Sequence, residues 1–123
     1  MSKNILIAED SSVILNLTKK ILEQENYNIS AAKNGQEVLD KLANNDYDLI
    51  LMDINMPVLD GMECSRQIRL LADDNKANTP IFAITGNANN YSDEEFKEAG
   101  INEYLPKPLN FDQLVTMVNN YTS

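Results

Sequence analysis

Continuous apolar runs alternate along this chain with segments whose apolar residues recur at helical spacing. Ile5-Leu6-Ile7-Ala8, Leu49-Ile50-Leu51-Met52 and Ile81-Phe82-Ala83-Ile84 carry no polar interruption, the pattern of strands covered on both faces. Tyr27, Ile29 and Ala31 alternate with Asn28 and Ser30, which suits a half-buried edge strand. A shorter run at Tyr104-Leu105 predicts a fifth strand. Between these, Ile14, Leu17 and Ile21 keep helical spacing, as do Val38, Leu39, Leu42 and Ala43. Cys64, Ile68 and Leu71 predict a third helix, and Phe111, Leu114, Val115 and Val118 the last. Ser92-Asp93-Glu94-Glu95 has the form of a capping box opening a short fourth helix, and Asn110 to Gln113 has the same form before the fifth. The fourth helix offers only Phe96 and Ala99 for burial, so it is expected to be the least firmly held.

Five β-α units with short links predict an α/β fold with a doubly wound, five-stranded parallel sheet. Ligands of such sheets bind outside the carboxyl ends of the strands, so the residues that end each strand matter most. The first strand ends in Glu9-Asp10, the third in Asp53, the fourth in Thr85 and the fifth in Lys107. Converging carboxylates repel one another unless a cation neutralises them. Mg²⁺ fits that role, being hard, oxygen-seeking and content with one or two carboxylates plus water and phosphate oxygens. Thr85 and Lys107 would then offer a hydroxyl donor and a positive charge to a phosphoryl oxygen. Taken singly, each residue has a plainer reading: Asp10 or Ser11 as a helix cap, Asp53 likewise, Thr85 as an ordinary strand end, Lys107 as a snorkelling surface lysine. Their joint position at the same end of successive strands favours the chemical reading.

Composition narrows the chemistry. The 123 residues carry 19 acidic and 10 basic side chains for a net charge of −9, a surface that repels nucleic acid and anionic lipid. No direct nucleic-acid or membrane partner is expected. The chain contains no histidine, which excludes Ser-His-Asp and Cys-His catalysis and the common zinc sites. Any phosphohistidine donor must therefore be a separate molecule. The single Cys64 lies on an apolar helical stripe and is expected to be a buried structural thiol. No apolar run approaches the ~20 residues of a membrane span. Met1-Ser2-Lys3 leads directly into a strand-type run, so no signal peptide is expected and the cytoplasm is the expected compartment.

The sequence resembles the response-regulator receiver domains of two-component signalling, in the manner of the chemotaxis regulators. The likeness lies in Ile5 to Asp10, Leu51 to Met62 (Leu-Met-Asp-Ile-Asn-Met-Pro-Val-Leu-Asp-Gly-Met), Ile84-Thr85-Gly86 and Tyr104-Leu105-Pro106-Lys107-Pro108. These segments fall in order and extend over essentially the whole chain, so residues 1–123 are expected to form one receiver domain. The resemblance implies a flavodoxin-like (βα)5 fold with strand order 2-1-3-4-5. It implies Asp53 as phosphoryl acceptor, Asp10 and Glu9 as Mg²⁺ ligands (Glu9 through water), and the backbone carbonyl of Asn55 as a further ligand. Thr85 and Lys107 would contact the phosphoryl group, with Thr85 and Tyr104 as the switch pair. Asn55 and Asn87 would tune the lifetime of the phosphorylated state, and the Lys107-Pro108 bond would be cis. The donor would be a histidine kinase or a histidine phosphotransfer protein. The output would be a protein target on the face formed by the fourth helix, fifth strand and fifth helix. Such a domain is no enzyme in the usual sense, but it helps catalyse its own phosphorylation and dephosphorylation. It occurs alone, as a segment of a hybrid kinase, or within a longer regulator.

Two other classes compete. A small aspartyl-phosphate hydrolase also places an aspartate after a buried strand, but usually has a second aspartate two residues on, where this chain has Asn55, and usually a substrate-binding cap. A flavodoxin-like nucleotide or flavin carrier would need a phosphate cradle; the chain has four glycines and none in the turn after the first strand.

Overall fold

A computed structural model describes residues 3–86 and 91–122. The apolar runs become parallel strands: β1 (Asn4–Ala8), β2 (Asn28–Ala32), β3 (Leu49–Asp53), β4 (Ile81–Thr85) and β5 (Glu103–Pro106). They pair in the order β2-β1-β3-β4-β5, as the resemblance implied. Strand order reverses between β1 and β3, where Ala8 stands opposite Met52, so the crevice for a ligand opens above their carboxyl ends.

The helices are α1 (Ser12–Gln24), α2 (Gly35–Asn44), α3 (Gly61–Arg69), α4 (Asp74–Ala77), α5 (Asp93–Glu98) and α6 (Phe111–Thr122). The single turn α4 is an addition to the five expected helices, because four residues are too few to show a period. Asp73 caps it by accepting from the backbone N–H groups of Asn75 and Lys76. The fourth and fifth helices expected from the sequence are therefore α5 and α6.

The sheet carries one core on each face, as its continuous apolar strands require. On one side Ile5, Ile7, Leu49, Leu51, Phe82 and Ile84 pack with Leu15 and Leu22 of α1 and Leu114 and Val118 of α6. On the other, Leu6, Ile50, Met52, Ile81 and Ala83 pack with α2, α3 and Phe96 of α5. Each fully buried large aliphatic or aromatic side chain contributes about 1.5–3 kcal/mol. Cys64 is buried, its Sγ donates to Gly35 O, and burial first, then Asp60, pushes the thiol up to about 12. It is the inert thiol expected.

The expected stripe of α1 is corrected by one residue. Leu15, Thr18 and Leu22 are buried, whereas Leu17 is 48% exposed. The run Val13-Ile14-Leu15 satisfies helical spacing in more than one phase, and Thr18 is admitted to the core because its hydroxyl donates to Ile14 O at 2.8 Å. Likewise Ala43 of α2 is exposed, and α3 stops before Leu71, which packs on the core from beyond the helix end. Arg69 closes α3 by donating to carbonyl oxygens of Ala77, Thr79 and Gly100 and to Asn102 Oδ1. This half-buried guanidinium ties together segments far apart in the chain.

Candidate functional site

The residues that end β1, β3 and β5 meet at one edge because the parallel ladder continues one step past the strands. Glu9 N donates to Ala32 O, Ile54 N to Ile84 O and Lys107 N to Thr85 O, at 2.9–3.0 Å. Asp53, the last residue of β3, is 1% exposed and Glu9 3% exposed, while Asp10 faces solvent. One carboxylate oxygen from each of Glu9, Asp10 and Asp53 lies within 4.8 Å of the others. Lys107 Nζ stands 3.3 Å from Asp53 Oδ2 and 3.4 Å from Glu9 Oε1.

The electrostatics are those of a site short of positive charge. Burial, then the hydrogen bond and the charge of Asp53, push Glu9 up to about 7, against the Ser11 N–H and Lys107, which pull it down. Burial works against the charge on Lys107, but Asp53 and Glu9 push its pKa up on balance. Asp53 Oδ1 accepts from Asn55 N at 3.1 Å. Asp53 Oδ2 is buried and accepts no hydrogen bond; its close neighbour is the Lys107 ammonium. Buried oxygens are rarely left so, and a hard cation among three carboxylates answers both this orphan oxygen and the raised Glu9. The donor set fits Mg²⁺.

The loop beyond Asp53 is held by two glycines. A Cβ on Gly61 would stand 2.5 Å from Asp53 O and 2.9 Å from Ile54 Cα, and one on Gly35 would meet Leu59 O. Gly61 N donates to Ile54 O, and Gly35 N to Leu59 O. Asp60 caps α3 by accepting from Glu63 N at 2.9 Å. At the tip of the loop Leu59 N donates to Pro57 O, and Val58 takes φ +68° with its side chain 81% exposed.

Ser11, not Asp10, caps α1: its side chain accepts from Ile14 N. That leaves Asp10 available to the acidic cluster. Thr85 is buried at the end of β4, opposite Pro106, and the Lys107-Pro108 peptide is cis as expected. Asn55 is exposed on the rim. Asn87 lies outside the described residues. Tyr104 is 42% exposed on β5 and stacked on Phe96. Sequence pattern alone does not reveal an open apolar groove beside the site, lined by Val13, Leu17, Pro108, Leu109 and Phe111 together with Lys107. Spacing puts Leu17 on the core stripe, so its place on this surface follows only from the true phase of α1.

A family model for the response regulator receiver domain matches residues 5–119. The chain is 39% identical to the transcriptional regulatory protein ResD of Bacillus subtilis, over 93% of this chain and 45% of that protein. It is 35% identical to hybrid signal transduction histidine kinase I of Dictyostelium discoideum, over 95% of this chain and 7% of that protein. The chain thus spans less than half the length of either relative. Among solved structures it resembles the receiver domain of sensor histidine kinase PA1611 from Pseudomonas aeruginosa, described with a magnesium ion in its active site cleft. That match has 31% identity and a TM-score of 0.89 and covers 99% of this chain and 98% of the other.

Proposed function

This chain belongs to the response regulator receiver domain family, and from that premise we propose that Asp53 accepts the phosphoryl group and that residues 1–123 act as one receiver domain. The observation that carries the reading is Asp53 itself: a buried carboxylate with one oxygen free of hydrogen bonds, beside two further carboxylates and a lysine. A bond from Oδ2 to phosphorus displaces no existing hydrogen bond. Oδ1 stays anchored by the Asn55 amide, which fixes the carboxylate for in-line attack.

The chain holds no histidine, so the donor is a second molecule, a histidine kinase or histidine phosphotransfer protein, or a small phosphodonor. Asp53 attacks phosphorus, the phosphorus–nitrogen bond of the phosphohistidine breaks with its electron pair going to nitrogen, and an acyl phosphate forms; the imidazole, already protonated on its other ring nitrogen, leaves as the neutral base. Glu9, Asp10, Asp53 and the Asn55 carbonyl would hold Mg²⁺, which supplies charge neutralisation for the carboxylates and the phosphoryl oxygens. Lys107 meets a developing negative charge from the β5 side, and Thr85 donates its hydroxyl from β4. Water later hydrolyses the acyl phosphate and returns the carboxylate. The domain promotes both steps on itself and turns over no separate substrate.

Output then leaves by Thr85 and Tyr104 through the face of α5, β5 and α6, to a protein partner. Among the described residues no helix is long and apolar enough to cross a membrane, and the net charge of −9 disfavours nucleic acid. A cytoplasmic site of action is part of this reading. Intact-mass measurement with phosphoramidate or acetyl phosphate and Mg²⁺ tests it. One phosphoryl group should appear, be released by hydroxylamine, and be absent from Asp53→Asn. Labelling of Asp53→Asn at the parent level would refute the assignment.

A further inference from the structure

Three aromatic rings stand in succession on the α5 side of the sheet. The rings of Tyr91 and Phe96 lie 5.7 Å apart at 53°, and Phe96 stacks on Tyr104 at 4.9 Å with planes 17° apart. Their settings differ. Phe96 is 3% exposed and belongs to the core with Ile81, Ala83, Ala99 and Ile101, while Tyr104 remains 42% exposed. Phe96 is also fixed through its backbone, since its N–H donates to Ser92 O and its carbonyl accepts from Ile101 N. The helix around it opens with a complete capping box between Ser92 and Glu95. Asp93 lines the same surface hollow as Phe96 and Tyr104, and its carboxylate beside the Tyr104 hydroxyl pushes that phenol's pKa up.

We propose that Phe96 and Asp93 are positioning residues that hold Tyr104 outward, with Tyr91 buttressing Phe96, so that this ladder sets how strongly the domain resists activation. The inference rests on the receiver reading, in which Tyr104 is the residue that turns. To turn inward, Tyr104 must give up the face of Phe96 and its place beside Asp93. The stacked face of Phe96 and the Asp93 carboxylate at the same hollow each oppose that rotation. Tyr91 lies six positions beyond Thr85 in the sequence and touches the ring that holds Tyr104. A ligand selects whichever state it binds better, so weakening the outward state makes a phosphoryl mimic bind more tightly without any change at the acidic cluster.

Titration with beryllofluoride in the presence of Mg²⁺ tests this. Phe96→Leu should lower the half-saturating concentration by about two- to tenfold, and Asp93→Ala by a smaller factor. Mg²⁺ affinity measured without beryllofluoride should be unchanged in both. In a Tyr104→Ala background neither substitution should alter beryllofluoride binding, because the ring they act through is gone. A lower melting temperature with unchanged or weaker beryllofluoride binding would make the rings mere packing and overturn the proposal. If Phe96→Leu fails to fold, the surface variant Asp93→Ala decides by the same criterion. Failure of the parent itself to bind beryllofluoride, or equal binding by Asp53→Asn, would instead strike the receiver reading and take this inference with it.

Discussion

Around Asp53 the chain is pinned from several directions, whereas Tyr104 sits on the edge strand β5, paired with β4 alone and flanked by one short helix and a stack of rings. Asp53 ends a fully buried strand, its loop is bonded back to Ile84 and Ile54, and Gly61 is packed against the Asp53 carbonyl. The other region has α5, only six residues long, with Phe96 as the buried residue within it. A phosphoryl site needs the first kind of construction, since misplacement of reacting groups by even 1 Å is costly. A responding surface needs the second, because segments with few buried apolar contacts rearrange at low free-energy cost. On the reading proposed above the same sheet edge supplies both, a fixed half around Asp53 and a yielding half around α5 and the Tyr104 ring.

One substitution made in each half would expose the difference. At Gly61 an added methyl meets backbone on two sides and something must move. Gly61→Ala should cost about 2–4 kcal/mol of unfolding free energy in urea and slow phosphorylation of Asp53 by displacing its loop. At Gly86 the nearest atom is Lys107 Cδ at 3.8 Å, an ordinary contact. Gly86→Ala should be neutral within about 0.5 kcal/mol, or slightly stabilising through the unfolded chain. Equal costs at the two positions would erase the contrast.

The fixed half also stores an electrostatic cost. Glu9 is raised from 4.5 to about 7, so the folded protein holds that proton more tightly than the unfolded chain. Its contribution favours folding fully below about pH 4.5 and is lost as pH rises through 7. Without Mg²⁺, the stability of the parent relative to Glu9→Gln should therefore fall by about 1–3 kcal/mol between pH 4.5 and 7.5. Added Mg²⁺ should restore most of it. Parallel pH profiles for the two proteins would mean that Lys107 alone neutralises the cluster.

Much of this was legible in the chain. The sheet could be read because buried strands leave no polar residue in Ile5 to Ala8 or Leu49 to Met52, and the site could be read because it sits where those runs end. What stayed hidden needed three-dimensional partners. The phase of α1 turned on Thr18, a polar residue buried by a hydrogen bond within its own helix. The turn α4 was too short to show a period. Arg69 could not be assigned, because its acceptors lie 8 to 33 residues away. The ring ladder was hidden for the same reason: Phe96 and Tyr104 are close only because β5 returns beside α5.

Charge removal within the site separates the metal from the lysine. Asp10 is the exposed member of the acidic cluster, so Asp10→Asn should keep the fold and weaken Mg²⁺ binding by about tenfold, the scale of one partly solvated charge. Lys107→Ala removes the cation that sits 3.3 Å from Asp53 and competes with the metal for the same oxygens. It should leave Mg²⁺ affinity equal or higher while lowering the yield of phosphorylated protein. Opposite signs in the two titrations, followed by calorimetry or by amide shifts, would fit a metal ligand at Asp10 and a competing cation at Lys107. An Asp10→Asn protein that binds Mg²⁺ like the parent would remove Asp10 from the ligand set.

The smallest effect expected in the fixed half concerns how long the phosphorylated state lasts. Asn55 reaches Asp53 through its backbone N–H, while the residue itself is exposed on the rim. A substitution there can alter the approach of water without disturbing the anchor. Its amide cannot serve as a general base, so the side chain can slow or admit the attacking water but cannot activate it by taking its proton. Asn55→Leu should therefore keep the yield of phosphorylation and prolong its decay by a few-fold, read by intact mass over time after removal of the donor. Asn87, two residues beyond Thr85 in the sequence, carries an amide that is likewise no general base. If decay is governed by the fixed half, Asn55→Leu should act equally in the parent and in Phe96→Leu, where the response half is loosened. A lifetime that changes with Phe96→Leu but not with Asn55→Leu would place control of hydrolysis in the yielding half, and the division of labour between the two halves would have to be reversed.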